Sequence, residues 1–478
     1  MPDPGLHRDE VEAALELASS EVRRYLDGLD EAHVQPTGSI ARLAGLYPPF
    51  PEKGDGALAA LTELADIAHE NATRSSGPRF FHFVIGGTTP AALGADWLAS
   101  AVDQNAGPWA ASPLGAQLEV VACDWLRQLF RLPDGFRGVL VTGATMANFT
   151  GLAAARSWWG QQSGVPVDQD GMAGAPPVPV FTSGIVHASA VKSIGMLGIG
   201  RSSVRKLAVD GTGRLDVTAL ERELAALEGA PAIVIANAGD ANSGAFDPID
   251  HMADLAERYN AWLHVDGAFG IFARVSPELD GIARGMERAM SVGGDGHKWL
   301  NVPYDCGFVF VRDWQALQRT FGERADYLPP LDDPNPSYAY LAPESSRRAR
   351  AFAVWATLRA YGADGYRAMV ERHVGLARHL ARLVDDQPEL ERLAEVTLNI
   401  VCFRVRPDGV PVERLDELNR RVGEELLADG RVFAGTTIYD GKVCFRPAIV
   451  NWRTRESDVE LLVDVVLELS ERLRAAAV

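Results

Sequence analysis

Four short stretches of the chain carry side chains with chemistry to offer. "SVGGDGHKWLNVPYDCG" (291–307) crowds glycines around Asp295, His297 and Lys298 before an apolar run, "GFVFV". Glycines let another group come close to the backbone, and a lysine among apolar neighbours can shed its proton and condense with an aldehyde. "AWLHVDGAFG" ends a second apolar run on Asp266. A carboxylate there requires a cation or hydrogen-bond donors. His264, two residues earlier on the same strand face, makes a metal pair conceivable, but with no third ligand in view an organic cation suits Asp266 better. "TSGIVHASAVKS" sets His187 just past a third run, where capping or packing is the plain reading. "VLVTGATMANFTG" passes through Gly143, Ala144 and Thr145 directly into a helical pattern. Backbone N–H groups at such a helix start suit a phosphate, although the Gly-Lys-Ser/Thr of a nucleotide-binding loop is missing and a simple capped helix would look the same.

The elements that position these residues follow from hydrophobic patterning. Between about 135 and 312, "GVLVTG", "VPVFTS", "VRKLAV", "AIVIANA", "WLHVDG" and "GFVFVRD" alternate with helical segments. That rhythm predicts an α/β fold with a mostly parallel sheet covered by helices. Ligands of such sheets bind outside the carboxyl ends of the strands, which is where all four stretches fall. A phosphate cradle, an aromatic histidine, a carboxylate and a lysine are together what pyridoxal 5′-phosphate requires: a phosphate anchor, a ring stack, an acid for the pyridinium nitrogen and an amine for a Schiff base.

Before this region an amphipathic helix is expected over 8–28 and another near 57–71, with too few strands for a sheet of their own. After Pro343 two long helices, then short strands and further helices, read as a smaller α+β unit with antiparallel pairing. The expected organisation is a helical arm (1 to about 110) that packs on something else, in a large enzyme often another subunit, a large domain (111–345) and a small domain (346–478). Polar Pro/Gly-rich loops are expected at 161–179 and 327–344, and long loops of this kind often act as lids. A net charge of −18 disfavours nucleic acid and anionic membrane surfaces as partners. No apolar stretch reaches the length of a membrane span and the start does not read as a signal peptide, so a cytoplasmic location is expected. Cys123, Cys306, Cys402 and Cys444 lack the spacing of a zinc site or a disulfide framework and read as buried free thiols.

Order and wording together resemble the group II pyridoxal-phosphate decarboxylases, the family of aromatic-L-amino-acid and glutamate decarboxylases. The likeness spans nearly the whole chain, through "PWAASPLGAQLEVVACDWL", "HVDGAFG", "GHKWLNVPYDCG", "ESSRRARAFAVW" and "LNIVCFRV". It implies a fold-type I pyridoxal-phosphate enzyme, a homodimer, that decarboxylates an L-amino acid to its amine. Lys298 then matches the Schiff-base lysine, Asp266 the partner of the pyridinium nitrogen and His187 the histidine stacked on the cofactor ring. Gly143, Ala144, Thr145 and His297 fall around the phosphate, and Ala268 under the ring. Tyr327, 29 residues after Lys298, matches the catalytic tyrosine of a mobile loop. Tyrosine there favours decarboxylation over oxidative aldehyde formation; an aldehyde synthase, a carbon–carbon lyase or a non-catalytic cofactor-binding homologue are the rival readings. Asp295 stands where aromatic decarboxylases carry a phosphate-binding asparagine, and "NAGDANSGAFD" replaces a Gly-Thr-Thr element. His82, Asn105, Gly107 and Tyr304 fall around the substrate. Arg446 matches an arginine able to bind a substrate carboxylate, with a structural ion pair an equal reading.

Overall fold

The computed structural model describes residues 8, 10–36, 38, 43–46, 49–322, 330, 335 and 337–475; Tyr327 lies outside them. Among these residues seven strands form one sheet: β1 (Arg137–Val141), β2 (Val180–Ser183), β3 (Val204–Leu207), β4 (Ala232–Asn237), β5 (Ala261–Asp266), β6 (Ser291–Asp295) and β7 (Gly307–Val311), in the order β1-β7-β6-β5-β4-β2-β3. All pairs are parallel except those of β7, which runs antiparallel to both β1 and β6. Every residue of β4, β5, β6 and β7 is buried, as a central sheet covered on both faces requires.

β6 is the departure from the sequence expectation, which treats "SVGGD" as a glycine loop ahead of a strand. It is a central strand in its own right. Its glycines clear space for packing: a Cβ on Gly294 would collide with the Phe308 ring, and one on Gly293 would lie 3.2 Å from Ala147 Cβ.

Helices α1 (Glu10–Asp27) and α2 (Ala57–Asn71) pack on each other, and neither buries a residue. α3 (Pro90–Val102) and α4 (Pro113–Leu129) each begin with proline after a capping hydroxyl, Thr89 and Ser112. The helix after β1, α5 (Ala144–Ser163), crosses β6 and β7. α6 (Ala188–Met196) follows β2, α7 (Val217–Ala225) follows β3, α8 (Ile249–Arg258) lies between β4 and β5, and α9 (Trp314–Phe321) follows β7. The two long helices expected after Pro343 are both present, meeting at a kink at Gly362 (φ 60°, ψ −174°) within the span Ala351–Asp385, labelled α10 as a whole. Its first half packs on α3 and α4. Just before it, Arg347 makes a bidentate pair with Glu119 of α4 at 2.7 and 2.9 Å, both side chains fully buried.

A second sheet, order β10-β11-β9-β8, is antiparallel throughout: β8 (Leu390–Arg392), β9 (Phe403–Val405), β10 (Thr436–Tyr439) and β11 (Lys442–Phe445). The second half of α10, α11 (Val412–Asp429) and α12 (Glu456–Ala475) cover it with a separate apolar core around Phe403, Phe445, Val422 and Leu462. All four cysteines are free and buried, with the Sγ atoms of Cys402 and Cys444 3.4 Å apart. No helix among the described residues is long and apolar enough to cross a membrane.

Candidate active site

The carboxyl ends of β1, β5 and β6 open on one cavity of about 390 Å³, lined by Thr142 to Met146, His187, Asp266, Ala268, Asp295, His297 and Lys298. The four stretches singled out in the sequence therefore converge. Phe83, Tyr304 and Arg446 also line it. His82 is not among the lining residues; its ring lies tilted against those of Phe83 and Phe433, and its Nδ1 accepts from Gly435 N–H at 3.3 Å. Asn105 and Gly107 are likewise outside the lining, Asn105 accepting from the Gly107 and Arg347 amides.

Asp266 is the last residue of β5, and both its oxygens have donors. Oδ1 accepts from Ala268 N–H at 3.2 Å, and Oδ2 from Asn148 Nδ2 at 2.7 Å. Asn148 belongs to a buried chain whose hydrogen directions can be assigned from its ends. Trp262 Nε1–H can only donate, and does so to Ser291 Oγ at 2.8 Å. Asn148 must aim its amide nitrogen at the carboxylate. Its carbonyl oxygen then accepts from His264 Nε2–H at 2.9 Å, leaving His264 Nδ1 to accept from Ser291 O–H at 2.8 Å. A neutral imidazole is what this pattern needs. Burial lowers the pKa of His264 to about 4, against an opposite pull from the Asp266 charge. The pair read from the sequence as a possible metal site is thus bridged through Asn148. Among the described residues no group of three or more metal-binding side chains gathers.

The same chain reaches His187. Asn148 Nδ2 also donates to Ser189 Oγ at 3.2 Å, and Ser189 Oγ lies 2.7 Å from His187 Nδ1. The Ser189 backbone N–H donates to that Nδ1 as well, at 3.3 Å. An atom that accepts from a backbone amide carries no proton, so the proton of neutral His187 is on Nε2. His187 is the N-cap of α6 and also lines the cavity. Capping the helix and facing the cavity are thus compatible for this residue.

Lys298 sits on the turn between β6 and β7, held from both sides. Trp299 and Leu300 are fully buried, Trp299 Nε1–H donating to His373 Nδ1 at 2.8 Å and the Leu300 carbonyl accepting from Tyr366 O–H at 2.9 Å. On the other side Gly86 packs so tightly that a Cβ there would overlap the Lys298 carbonyl oxygen. Lys298 Nζ lies 3.1 Å from Asp295 Oδ2 and 5.7 Å from the centre of the Phe269 ring. His297 Nδ1 accepts from Cys306 N–H at 3.3 Å, so its proton is on Nε2, which faces Asp295 Oδ1 at 3.2 Å. Burial lowers the His297 pKa, Asp295 opposing. Tyr304 stacks on His297 at 4.1 Å, and burial followed by the Asp295 charge raises its phenol to about 12. Arg446 Nη1 donates to the Ala241 carbonyl at 3.0 Å, and desolvation lowers its pKa.

Sequence reasoning missed Asn148, Ser189 and Ser291. The available signal for Asn148 was a polar amide in a helix stretch otherwise dominated by small and apolar residues. The two serines carried no signal of their own.

A sheet of this order with an amine, a supported carboxylate and a helix start at its carboxyl edge defines a pyridoxal-phosphate enzyme of fold type I. Residues 42–406 match the model of the pyridoxal-dependent decarboxylase conserved domain, and the chain belongs to that family. It is 32% identical over 439 residues to an L-2,4-diaminobutyrate decarboxylase of Rhizobium meliloti, covering 89% of this chain and 84% of that one. It is 29% identical over 435 residues to an aromatic-L-amino-acid decarboxylase of Bacillus atrophaeus, covering 90% and 88%. Among solved structures, Oryza sativa TDC with PLP and tryptamine superimposes with a TM-score of 0.91 at 26% identity, covering 98% of both chains. The protein is a carboxy-lyase, and its cofactor is pyridoxal 5′-phosphate.

The donor set fits that cofactor. A primary amine, a carboxylate with two donors of its own, an imidazole and a helix start share one cavity. The first amide of α5, Ala144 N–H, is already engaged in this structure, donating to Asp295 Oδ1.

Proposed function

We propose that the protein removes the α-carboxyl group of an L-amino acid, releasing carbon dioxide and the amine, with Lys298 as the residue that holds the cofactor through its aldehyde carbon. The observation that carries this reading is the convergence of Lys298, Asp266 and His187 on the cavity at the sheet's carboxyl edge. Bound pyridoxal phosphate supplies the electron sink for the pair left on Cα when carbon dioxide departs.

Asp266 keeps that sink charged. Asn148 and Ala268 donate to its two oxygens and hold the carboxylate in place to pair with a ring N–H. His187 would meet the ring, its Nδ1 committed to Ser189 so that Nε2–H is the edge left for the reacting groups. Ala268 would hold the ring from its other side, and Gly143, Ala144, Thr145 and His297 would hold the phosphate. Arg446, with one Nη engaged by Ala241, has guanidinium N–H groups left for a substrate carboxylate, and Tyr304 closes the cavity mouth. Tyr327 is the proton donor to Cα, and His82 stands behind the substrate. Relatives named for diaminobutyrate and for aromatic amino acids match at nearly equal identity, so the class of reaction is supported more strongly than any one side chain.

The working unit is a homodimer. Phe83 and Tyr304, both lining the cavity, are each 59% exposed, leaving the mouth with apolar surface that a second subunit would cover. The exposed apolar side chains of α1 and α2 (Val11, Leu15, Leu64) support residues 1 to about 110 as the clasping arm, ahead of a large domain (111–345) and a small one (346–478). Four buried thiols suit a reducing compartment such as the cytoplasm.

The test is carbon dioxide release from cofactor-loaded protein over aromatic, acidic, basic and aliphatic L-amino acids, with Lys298→Ala as blank. Borohydride reduction followed by peptide mass analysis locates the attachment. Release by wild type alone, with the label on the Lys298 peptide, supports the reading. A label elsewhere, or release undiminished in Lys298→Ala, overturns it.

A further inference from the structure

Asp295 takes the donors that a phosphate needs. Its Oδ1 accepts from Ala144 N–H at the start of α5 and faces His297 Nε2–H at 3.2 Å, while its Oδ2 pairs with Lys298 Nζ at 3.1 Å. Backbone amide, imidazole and ammonium converge on one carboxylate that is only 3% exposed. A phosphate monoester carries about −1.5 to −2 charges near neutral pH and would seek the same helix start and the same imidazole. Two anions cannot share these donors without repulsion, which is strong in a site shielded from water.

We propose that Asp295 is a built-in competitor for the cofactor's phosphate: loading requires its carboxylate to give up the Ala144 and His297 donors, so affinity for the phosphorylated cofactor is held below what the site could reach. The position is suited to this role because the carboxylate is attached to the end of β6, one turn from Lys298. It cannot diffuse away, and while it holds Ala144 and His297 it also draws the Lys298 ammonium toward itself. The enzyme therefore exchanges its cofactor more readily than one with a neutral side chain at this place.

This inference rests on the proposed roles of Lys298 and the start of α5, and the experiment separates the two. Full-length protein is stripped of cofactor with hydroxylamine, then titrated with pyridoxal 5′-phosphate and, separately, with pyridoxal, following the visible absorbance. In Asp295→Asn the phosphorylated form should bind at least tenfold more tightly, while pyridoxal, which lacks the phosphate, changes by less than threefold. Asp295→Ser, which also removes the negative charge and leaves the Ala144 amide free, should move the ratio in the same direction and serves if the amide variant does not fold. An unchanged or weakened affinity for the phosphorylated form overturns the proposal. Equal tightening of both ligands also overturns it, since Asp295 would then act through the Lys298 amine alone. If pyridoxal gives no absorbance change with any of the proteins, the assignment of Lys298 fails instead.

Discussion

Replacing Asn148 by leucine tests whether the buried chain behind Asp266 serves the cofactor or merely the fold. Leucine shares asparagine's heavy-atom count and its branch at Cγ, so the change removes polar partners without opening a void. Asp266 Oδ2 loses its 2.7 Å donor and the His264 Nε2–H loses its 2.9 Å acceptor. A hydrogen bond to a charged group contributes about 1.5–3 kcal/mol, and a buried donor left unpaired costs about 1–3 kcal/mol. The sum is roughly 3–5 kcal/mol of stability. With an unfolding entropy near 2.1 cal/mol/K per residue, a chain of 478 residues should lose about 3–5 °C in Tm. The cofactor should be affected separately. If Asp266 holds a ring N–H, loss of its supporting donor weakens that pair by about 1.5–3 kcal/mol, a 10- to 100-fold rise in Kd. Cofactor titration and thermal unfolding on the same preparation read the two effects. A variant that melts 3–5 °C lower yet binds pyridoxal phosphate with wild-type affinity would refute the functional half of the argument. One that melts normally would refute the structural half.

Arg347→Ala leaves Glu119 buried without its partner and should cost about 3–5 kcal/mol, measured by denaturant unfolding; the double change Glu119→Leu/Arg347→Met should recover most of it. Gly86→Ala drives a Cβ into the Lys298 carbonyl, so it should depress cofactor loading by tenfold or more even where circular dichroism shows an intact fold. Stability should fall on acidification between pH 6.5 and about 4. Unfolded His264 takes up a proton near 6.5 but the buried residue only near 4, so its contribution, about 3 kcal/mol by linkage, is present above 6.5 and lost across that window. A Tm that stays level from pH 6.5 to 4 would contradict the neutral, buried assignment.

Much of this site was legible because its members lie at the ends of apolar runs, where strand periodicity fixes which edge of the sheet they occupy. Lys298, Asp266, His187 and the Gly143–Thr145 turn are each local readings of that kind, and alternation of strands and helices brings them to one edge. β6 escaped because the rule fails there: a strand between two others, crossed by a helix, carries glycines in place of β-branched residues, and Gly294 exists to make room for Phe308, 14 residues later. The kink in α10 was legible too: Gly362 separates the two helices that the amphipathic patterning on either side predicts.

What the sequence by itself determined is chemical identity and edge: which groups can condense, pair or stack, and that they stand at carboxyl ends of strands. Local spacing suffices for that, because side-chain direction along a strand or at a helix start is set within a few residues. The tertiary structure decided which groups touch. Asn148 reaches Asp266 across 118 positions, His264 joins Asn148 across 116, and Asp295 meets Ala144 across 151. Hydrogen bonds fix the tautomers of His187 and His297 and the neutrality of His264, and they depend on distances and angles that only the packed chain supplies. Asp295 shows the division most clearly: the resemblance marks it as an acid where a neutral donor was expected, and only the fold shows it meeting the Ala144 amide, the His297 imidazole and the Lys298 amine.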